Sequence, residues 1–290
     1  MGLRTKFNLV LALVFTGGLI ITGVLSYNLL QRNARAEVIQ KAGIMMEAAL
    51  SVRGYTVKQI KPLLEMQLRR AFLPQSVPAY AATEVFDSLH AQYADYTYKE
   101  ATLNPTNPRA RAADWEADII AEFQQNAERR EIVGERETPT GRMLYLARPI
   151  QIKSQSCLTC HGTIETAPQT MLQRYGTANG FGWQHGDVVG AQMVTIPMSV
   201  PMQNAWHAFY TFMGSMFGVF LLAFVVLNLM LNSIIVKPLT RMALAADEIS
   251  MGNLEMPELS VRGKDEVAVL AQSFNRLRRS LEKAMNLIAE

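Results

Sequence analysis

Two stretches without a single charge set the terms for this 290-residue chain. The first runs from Phe7 to Gln31, the second from Ala208 to Val236. Each exceeds the roughly 20 apolar residues a helix needs to cross a bilayer. Lipid offers the backbone no hydrogen bonds, so both runs are expected to be helical. Apolar residues at 49% against 18% charged fit a membrane protein, and a net charge of +3 is too small to point to nucleic acid. Arg4 and Lys6 precede the first run, and Lys237 and Arg241 follow the second. Lys and Arg concentrate on the cytoplasmic side, so the segment between the runs is expected on the opposite, periplasmic face. The first run continues through Leu29-Leu30 to Gln31-Arg32-Asn33 with no small-x-small cleavage site, and so reads as a retained anchor. The expected division is a cytoplasmic N-terminus (1–6), a span (7–31), an extracytoplasmic domain (32–206), a second span (207–236) and a cytoplasmic module (237–290).

The middle segment holds both cysteines of the chain, in Ser156-Cys157-Leu158-Thr159-Cys160-His161-Gly162. Cys-x-x-Cys-His is the attachment sequence of a c-type haem. Each thiol adds to a vinyl group of the porphyrin, so the two sulfurs must leave one side of a helical turn, as residues i and i+3 do. His161, four residues after Cys157, can then reach the iron as proximal ligand. A redox disulfide is a competing reading. Half of a zinc site is another, although a structural zinc needs four protein ligands and no second cysteine pair exists. The expected cofactor is one covalent haem c. Such haems are attached outside the bacterial plasma membrane, which agrees with the topology drawn from the charges.

Around this motif the patterns predict an α+β arrangement. Ile39, Ile44, Met46, Leu50, Val57, Ile60 and Leu64 recur at helical steps over 34–73, with a bend expected near Pro62. A helix is expected over 81–93, a strand over 96–101, a turn at Asn104-Pro105-Thr106-Asn107-Pro108 and a helix over 112–130. Strands over 131–136, 141–152 and 187–197 complete the set. Beyond the second run, Leu239, Met242, Ala246 and Ile249, then Val267, Leu270, Phe274, Leu277 and Leu281, step by three and four. Both are heptad seams, and two short seams find stability most readily in a dimeric four-helix coiled coil. Gly214-Ser215-Met216-Phe217-Gly218 in the second run is a candidate helix contact of the G-x-x-x-G kind.

Pro238, Glu248, Gly252-Asn253-Leu254, Asp265-Glu266 and the run from Leu270 to Leu277 resemble a HAMP domain over about 237–290. That resemblance implies a parallel homodimeric signal relay, as in histidine kinases and chemoreceptors. Val52-Arg53-Gly54-Tyr55-Thr56, Pro74-Gln75-Ser76-Val77-Pro78, Tyr98-Lys99-Glu100-Ala101 and Asn104-Pro105-Thr106-Asn107-Pro108 carry a second resemblance, together with the haem motif, Ala167-Pro168 and Gly180-Phe181-Gly182-Trp183. Over about 45–200 these are similar to a bacterial, notably cyanobacterial, family of c-type-haem domains with a PAS-like fold. The resemblance implies sensing of redox state or a small ligand, with haem on Cys157, Cys160 and His161. Some members ligate the iron's far side with a cysteine, and this sequence has none to spare.

For that far side the candidates are Met46 or Met45, with Arg53 two turns beyond Met46 as a contact for a haem propionate, an open or water-ligated position, and His185. His90 reads as a surface or helix-packing residue and His207 as interfacial. The function expected is a membrane-bound haem sensor of redox state or a gaseous ligand in the bacterial inner membrane. With no kinase or methyl-accepting segment after Glu290, output is expected through a separate cytoplasmic protein of kinase or chemoreceptor type. The alternatives are a membrane-anchored electron-transfer cytochrome dimerised by its coiled coil, working with a redox partner, and a small-molecule binding domain with structural haem. No acid/base or nucleophile constellation suggests an enzyme.

Overall fold

The computed structural model describes residues 1–126, 128–253, 256–260 and 263–289. They fall into two compact units: Asn28–Ala208, and Met1–Tyr27 with Phe209–Glu290.

The first unit is built on a four-stranded antiparallel sheet in the order β1-β4-β3-β2. The strands are β1 (Thr97–Thr102), β2 (Ile132–Thr138), β3 (Gly141–Gln151) and β4 (Val188–Pro197). Its first helix, α1, spans Leu3–Tyr55 and buries Val38, Ala42, Met46 and Ala49 along one stripe. The expected helix to residue 73 continues only to Leu63, and its irregularity opens ahead of Pro62. A π-helical turn (Thr56–Ile60) follows α1, then two short helices, α2 (Lys61–Leu63) and α3 (Glu65–Leu68). Thr56 bonds its hydroxyl back to the Val52 carbonyl at 2.8 Å, which loosens the helix ahead of the proline. Pro62 then lacks the N–H that would continue it.

Helix α4 (Pro78–His90) starts three residues earlier than expected because Pro78 suits the first helical turn. Helix α5 covers Asp114–Gln125 and stops short of Arg130, and Ala127 lies outside the described residues. The Cys-x-x-Cys-His motif sits on α6 (Gln155–His161). A further helix, α7 (Gln169–Tyr175), was not anticipated. Pro168 opens it and Gly176, at φ +78°, closes it.

Alternation along the strands divides the core in two. On one face Tyr98, Leu144, Leu146, Val194 and Ile196 pack with Met46 and its neighbours on α1 and with Ala82 and Phe86 of α4. On the other, Ala101, Ala147, Ala191 and Met193 pack with Ile119, Ile120 and Phe123 of α5. Burying side chains of this size contributes about 1.5–3 kcal/mol each for the largest.

The antiparallel register gathers three connections at one end of the sheet. Thr102, the last residue of β1, pairs with Gly190 near the start of β4, and Ile150 near the end of β3 pairs with the same Gly190. The turn after β1, helix α6 after β3 and the loop leading into β4 therefore leave the sheet side by side.

The second unit contains the first part of α1 and, from Phe209 on, helix α8 (Ser199–Met230), two helices long and apolar enough to cross a membrane. Phe15 stacks on Phe220 with centroids 4.9 Å apart, beside Gly18, and Met213 rests beside Gly23. Gly214 and Gly218 have no described atom packed against them. A second π turn (Leu231–Val236) leads to α9 (Lys237–Ser250), and α10 covers Glu266–Ala289. Leu254 of the expected connector lies outside the described residues. The described part of the connector is pinned by buried Asn275, whose amide donates to the Leu259 carbonyl at 2.9 Å and accepts the Leu259 N–H at 3.0 Å. Of the predicted seam residues, Leu270, Leu277 and Leu281 are exposed in the single chain.

Candidate haem site

Cys157 and Cys160 are free thiols, both half-buried, one helical turn apart on α6. Ser154 caps the helix through its hydroxyl, which accepts the Ser156 N–H at 3.2 Å. Among the described residues no three His, Cys, Asp or Glu side chains gather as a metal cluster. The two sulfurs and the His161 ring therefore do not converge on one point, as a zinc site would require.

His161 is held from three sides. Its Nδ1 lies 2.8 Å from the Gly180 carbonyl oxygen. A carbonyl can only accept, so Nδ1 carries the proton and Nε2 keeps its lone pair. Trp183 stacks on the ring, centroids 4.0 Å apart and planes 16° from parallel. The Thr106 hydroxyl stands 3.4 Å from Nδ1. Burial holds the imidazole below the usual histidine range and so favours the neutral ring, while the Gly180 bond works the other way.

The loop that supplies these groups is itself tied down. The Trp183 N–H donates to the His161 carbonyl at 3.1 Å, and the Gly182 N–H donates to the Gly162 carbonyl at 2.6 Å. Asn104, just beyond β1, accepts the Gly180 N–H at 3.0 Å and donates to the Phe181 carbonyl at 3.5 Å. Gly180 has φ +88°, and a Cβ there would stand 1.9 Å from the Thr106 hydroxyl oxygen. No other residue fits that turn. The loops that the sheet register brings together thus clamp one imidazole and leave its second nitrogen available. Tautomer and ring plane are thus fixed by a backbone acceptor and a stacked indole.

The remaining sequence candidates are dispersed. Arg53 pairs with Glu100, and Cys157 lies within its electrostatic reach. Lys61 of α2 stands in the same relation to Cys160, whose thiol is pushed up by burial. Met46 is fully buried in the α1–α4 core. Met45 faces a shallow groove with Ile44, Val85 and Leu89. His185 is exposed in the loop after Trp183, and His90, also exposed, meets the Tyr96 carbonyl at 3.3 Å. Sequence reasoning did not single out Asn104, Thr106, Gly180 or Trp183 as partners of His161. The available signal was the pairing of a proline-rich turn with a glycine-aromatic turn, both already distinctive.

An α+β domain with a clamped histidine after a Cys-x-x-Cys pair, followed by two helices with heptad seams, defines a two-part class: a cofactor-type domain joined to a helical relay. Residues 31–197 match the family described as Tll0287-like, and residues 230–283 match the HAMP domain. The first match covers more than half of the chain, and the chain belongs to the Tll0287-like family, a cyanobacterial haem-protein family, with a HAMP domain after it. A solved structure described as the cyanobacterial haem-protein Tll0287 is 18% identical, over 56% of this chain and 95% of that one, with a TM-score of 0.43. No curated protein matches.

Proposed function

We propose that this chain is a membrane-bound c-type haem sensor that relays a redox or gaseous-ligand signal through its HAMP domain to a separate output partner. One observation carries the reading: the histidine of Cys-x-x-Cys-His has its Nδ1 proton committed to the Gly180 carbonyl, so Nε2 is the atom left to bind iron. Cys157 and Cys160 would form the two thioethers and His161 would hold the iron. The haem, when bound, supplies the redox and ligand chemistry. Asn104, Thr106, Gly180 and Trp183 orient the ring and limit access of water to it.

On the far side of the iron, packing speaks against Met46 and leaves Met45, His185 or an open position. Ligation by Met46 would draw its thioether out of the core it shares with Phe86, Leu144 and Val194. Arg53 has spare donors for a propionate.

The helix-flanked antiparallel sheet supports the PAS-like assignment. Arg4, Lys6, Lys237 and Arg241 support a cytoplasmic HAMP domain and a periplasmic haem domain between spans 7–31 and 207–236. The exposed Leu270, Leu277 and Leu281 support a parallel homodimer that buries them. A relay module serves no evident purpose in a plain electron carrier, which favours sensing.

Replacing Cys157 and Cys160 by Ala is expected to abolish covalent haem staining of the denatured chain, and retained staining would overturn the assignment. Absorption spectra of both oxidation states with and without CO report the far-side ligand. Disulfide crosslinking through cysteines placed at Leu277 is expected to differ between ferrous and ferric protein, and identical crosslinking would favour the electron carrier.

A further inference from the structure

One rung of the sheet, at the end where α6 leaves it, is polar where the next is apolar. Tyr98, Val194 and Leu146 lie opposite one another in an apolar rung, and Glu100, Gln192 and Arg148 form the adjacent one on the same face. The Glu100 side chain is only 7% exposed. A carboxylate that deep is costly unless its oxygens are fully partnered. Both are. The Tyr98 hydroxyl donates to Oε1 at 2.8 Å, and Arg53 of α1 pairs with Oε2. The Gln192 amide donates in turn to the Tyr98 oxygen at 3.3 Å. Burial, with Glu100 beside it, raises the Tyr98 hydroxyl far above the ordinary phenol range, so it remains a donor. Arg148 does not compete for Glu100, being held by Glu47 at 2.6 Å and Glu131 at 2.9 Å.

Arg53 is less buried than its partner, at 26%. Burial works against its charge, yet Glu100 keeps it firmly protonated. Its fork of five N–H donors is only partly used by Glu100. Packing alone does not call for this pair, since apolar residues of similar volume serve a core as well or better.

We propose that Glu100 is a positioning residue and built-in counter-ion of the cofactor site. With Tyr98 and Gln192 it fixes Arg53 at the end of the sheet from which α6 leaves, within electrostatic reach of Cys157, and the two opposed charges would set the reduction potential of an iron held there. This rests on Cys157, Cys160 and His161 carrying haem. Oxidation adds one positive charge at the iron, so a nearby carboxylate favours the ferric state and a nearby guanidinium the ferrous one.

The test is a spectroelectrochemical titration of the full chain in detergent. E100Q is expected to raise the potential and R53Q to lower it. The double variant should return close to the parent, and E100D and R53K, which keep the charges, should stay near it. A purely structural pair would move both single variants the same way or neither, and either result overturns the proposal. Should E100Q fail to accumulate, the contrast of R53Q with R53K decides alone, and equal potentials in those two overturn it. A parent chain without covalent haem overturns the haem assignment itself, a result distinct from covalent haem whose potential ignores these charges.

Discussion

Strand β1 carries two buried ion pairs, one on each face, and they are built differently. Glu100 points toward α1 and meets Arg53, while its neighbour Lys99 points the other way and meets Glu116 of α5 at 2.6 Å. The two carboxylates are equally buried, at 7% and 6% exposed. The Lys99 pair is closed by its own surroundings. Glu116 also accepts the Ala113 N–H at 2.8 Å at the start of α5, and Lys99 donates to the Arg111 carbonyl at 2.8 Å. Every bond stays within the segment that docks α5 on the sheet. The Arg53 pair instead reaches from the sheet to α1, and Glu100 takes its bond from one nitrogen of a guanidinium that carries five N–H donors. A closed pair fixes structure, whereas an open one has charge to spare for a ligand.

That contrast can be broken by experiment. The largest expected effect is from E116A, which strands Lys99 and uncaps α5. It should cost about 3 kcal/mol of stability, read as a lowered denaturation midpoint, while the haem potential stays put. A shifted potential there would erase the distinction. Y98F removes a hydrogen bond to a buried carboxylate and should cost about 1.5 kcal/mol, with an altered potential as well, because Glu100 loses its second anchor. An unchanged potential in Y98F would make the Glu100 side as purely structural as the Lys99 side. The smallest effect belongs to Q192L, which deletes a long neutral hydrogen bond. It should cost about 0.5 kcal/mol and leave the spectrum unaltered. A loss comparable to that of E116A would show the polar rung to be a cooperative network.

Much of this was legible from sequence because it rests on periodicity and spacing. The two uncharged runs, the strand alternation in Met143–Ala147 and the seams of α9 and α10 each leave a regular signature. Cys157, Cys160 and His161 stood out because their spacing is the one that thioether attachment of a haem would require. The partner of His161 was not, since it is the backbone carbonyl of Gly180, and a carbonyl leaves no side-chain signature. Met46 shows a different limit. A core stripe and a ligand-bearing helix face have the same spacing, and nothing in the sequence says that Met46 shares a buried cluster with Phe86, Leu144 and Val194. Glu100 lay in plain view within Tyr98-Lys99-Glu100-Ala101. Its weight emerged only when the sheet register set it opposite Gln192 and beneath Arg53. Helix α7 was missed because seven residues are too few to show a period.

The π turn at Thr56–Ile60 has a consequence for how the two cations of this site share one side. A π turn holds one residue more than the α turn it replaces, and each helical residue advances the face by roughly 100°. It therefore acts as a phase shifter. Arg53 lies before the turn and Lys61 after it, and both come within electrostatic reach of a haem-motif cysteine. Were residues 56–60 to wind as an ordinary α turn with none removed, Lys61 would swing about a quarter turn away from Cys160. For this stretch of chain, the way the residues wind is as much a part of the site as their identity.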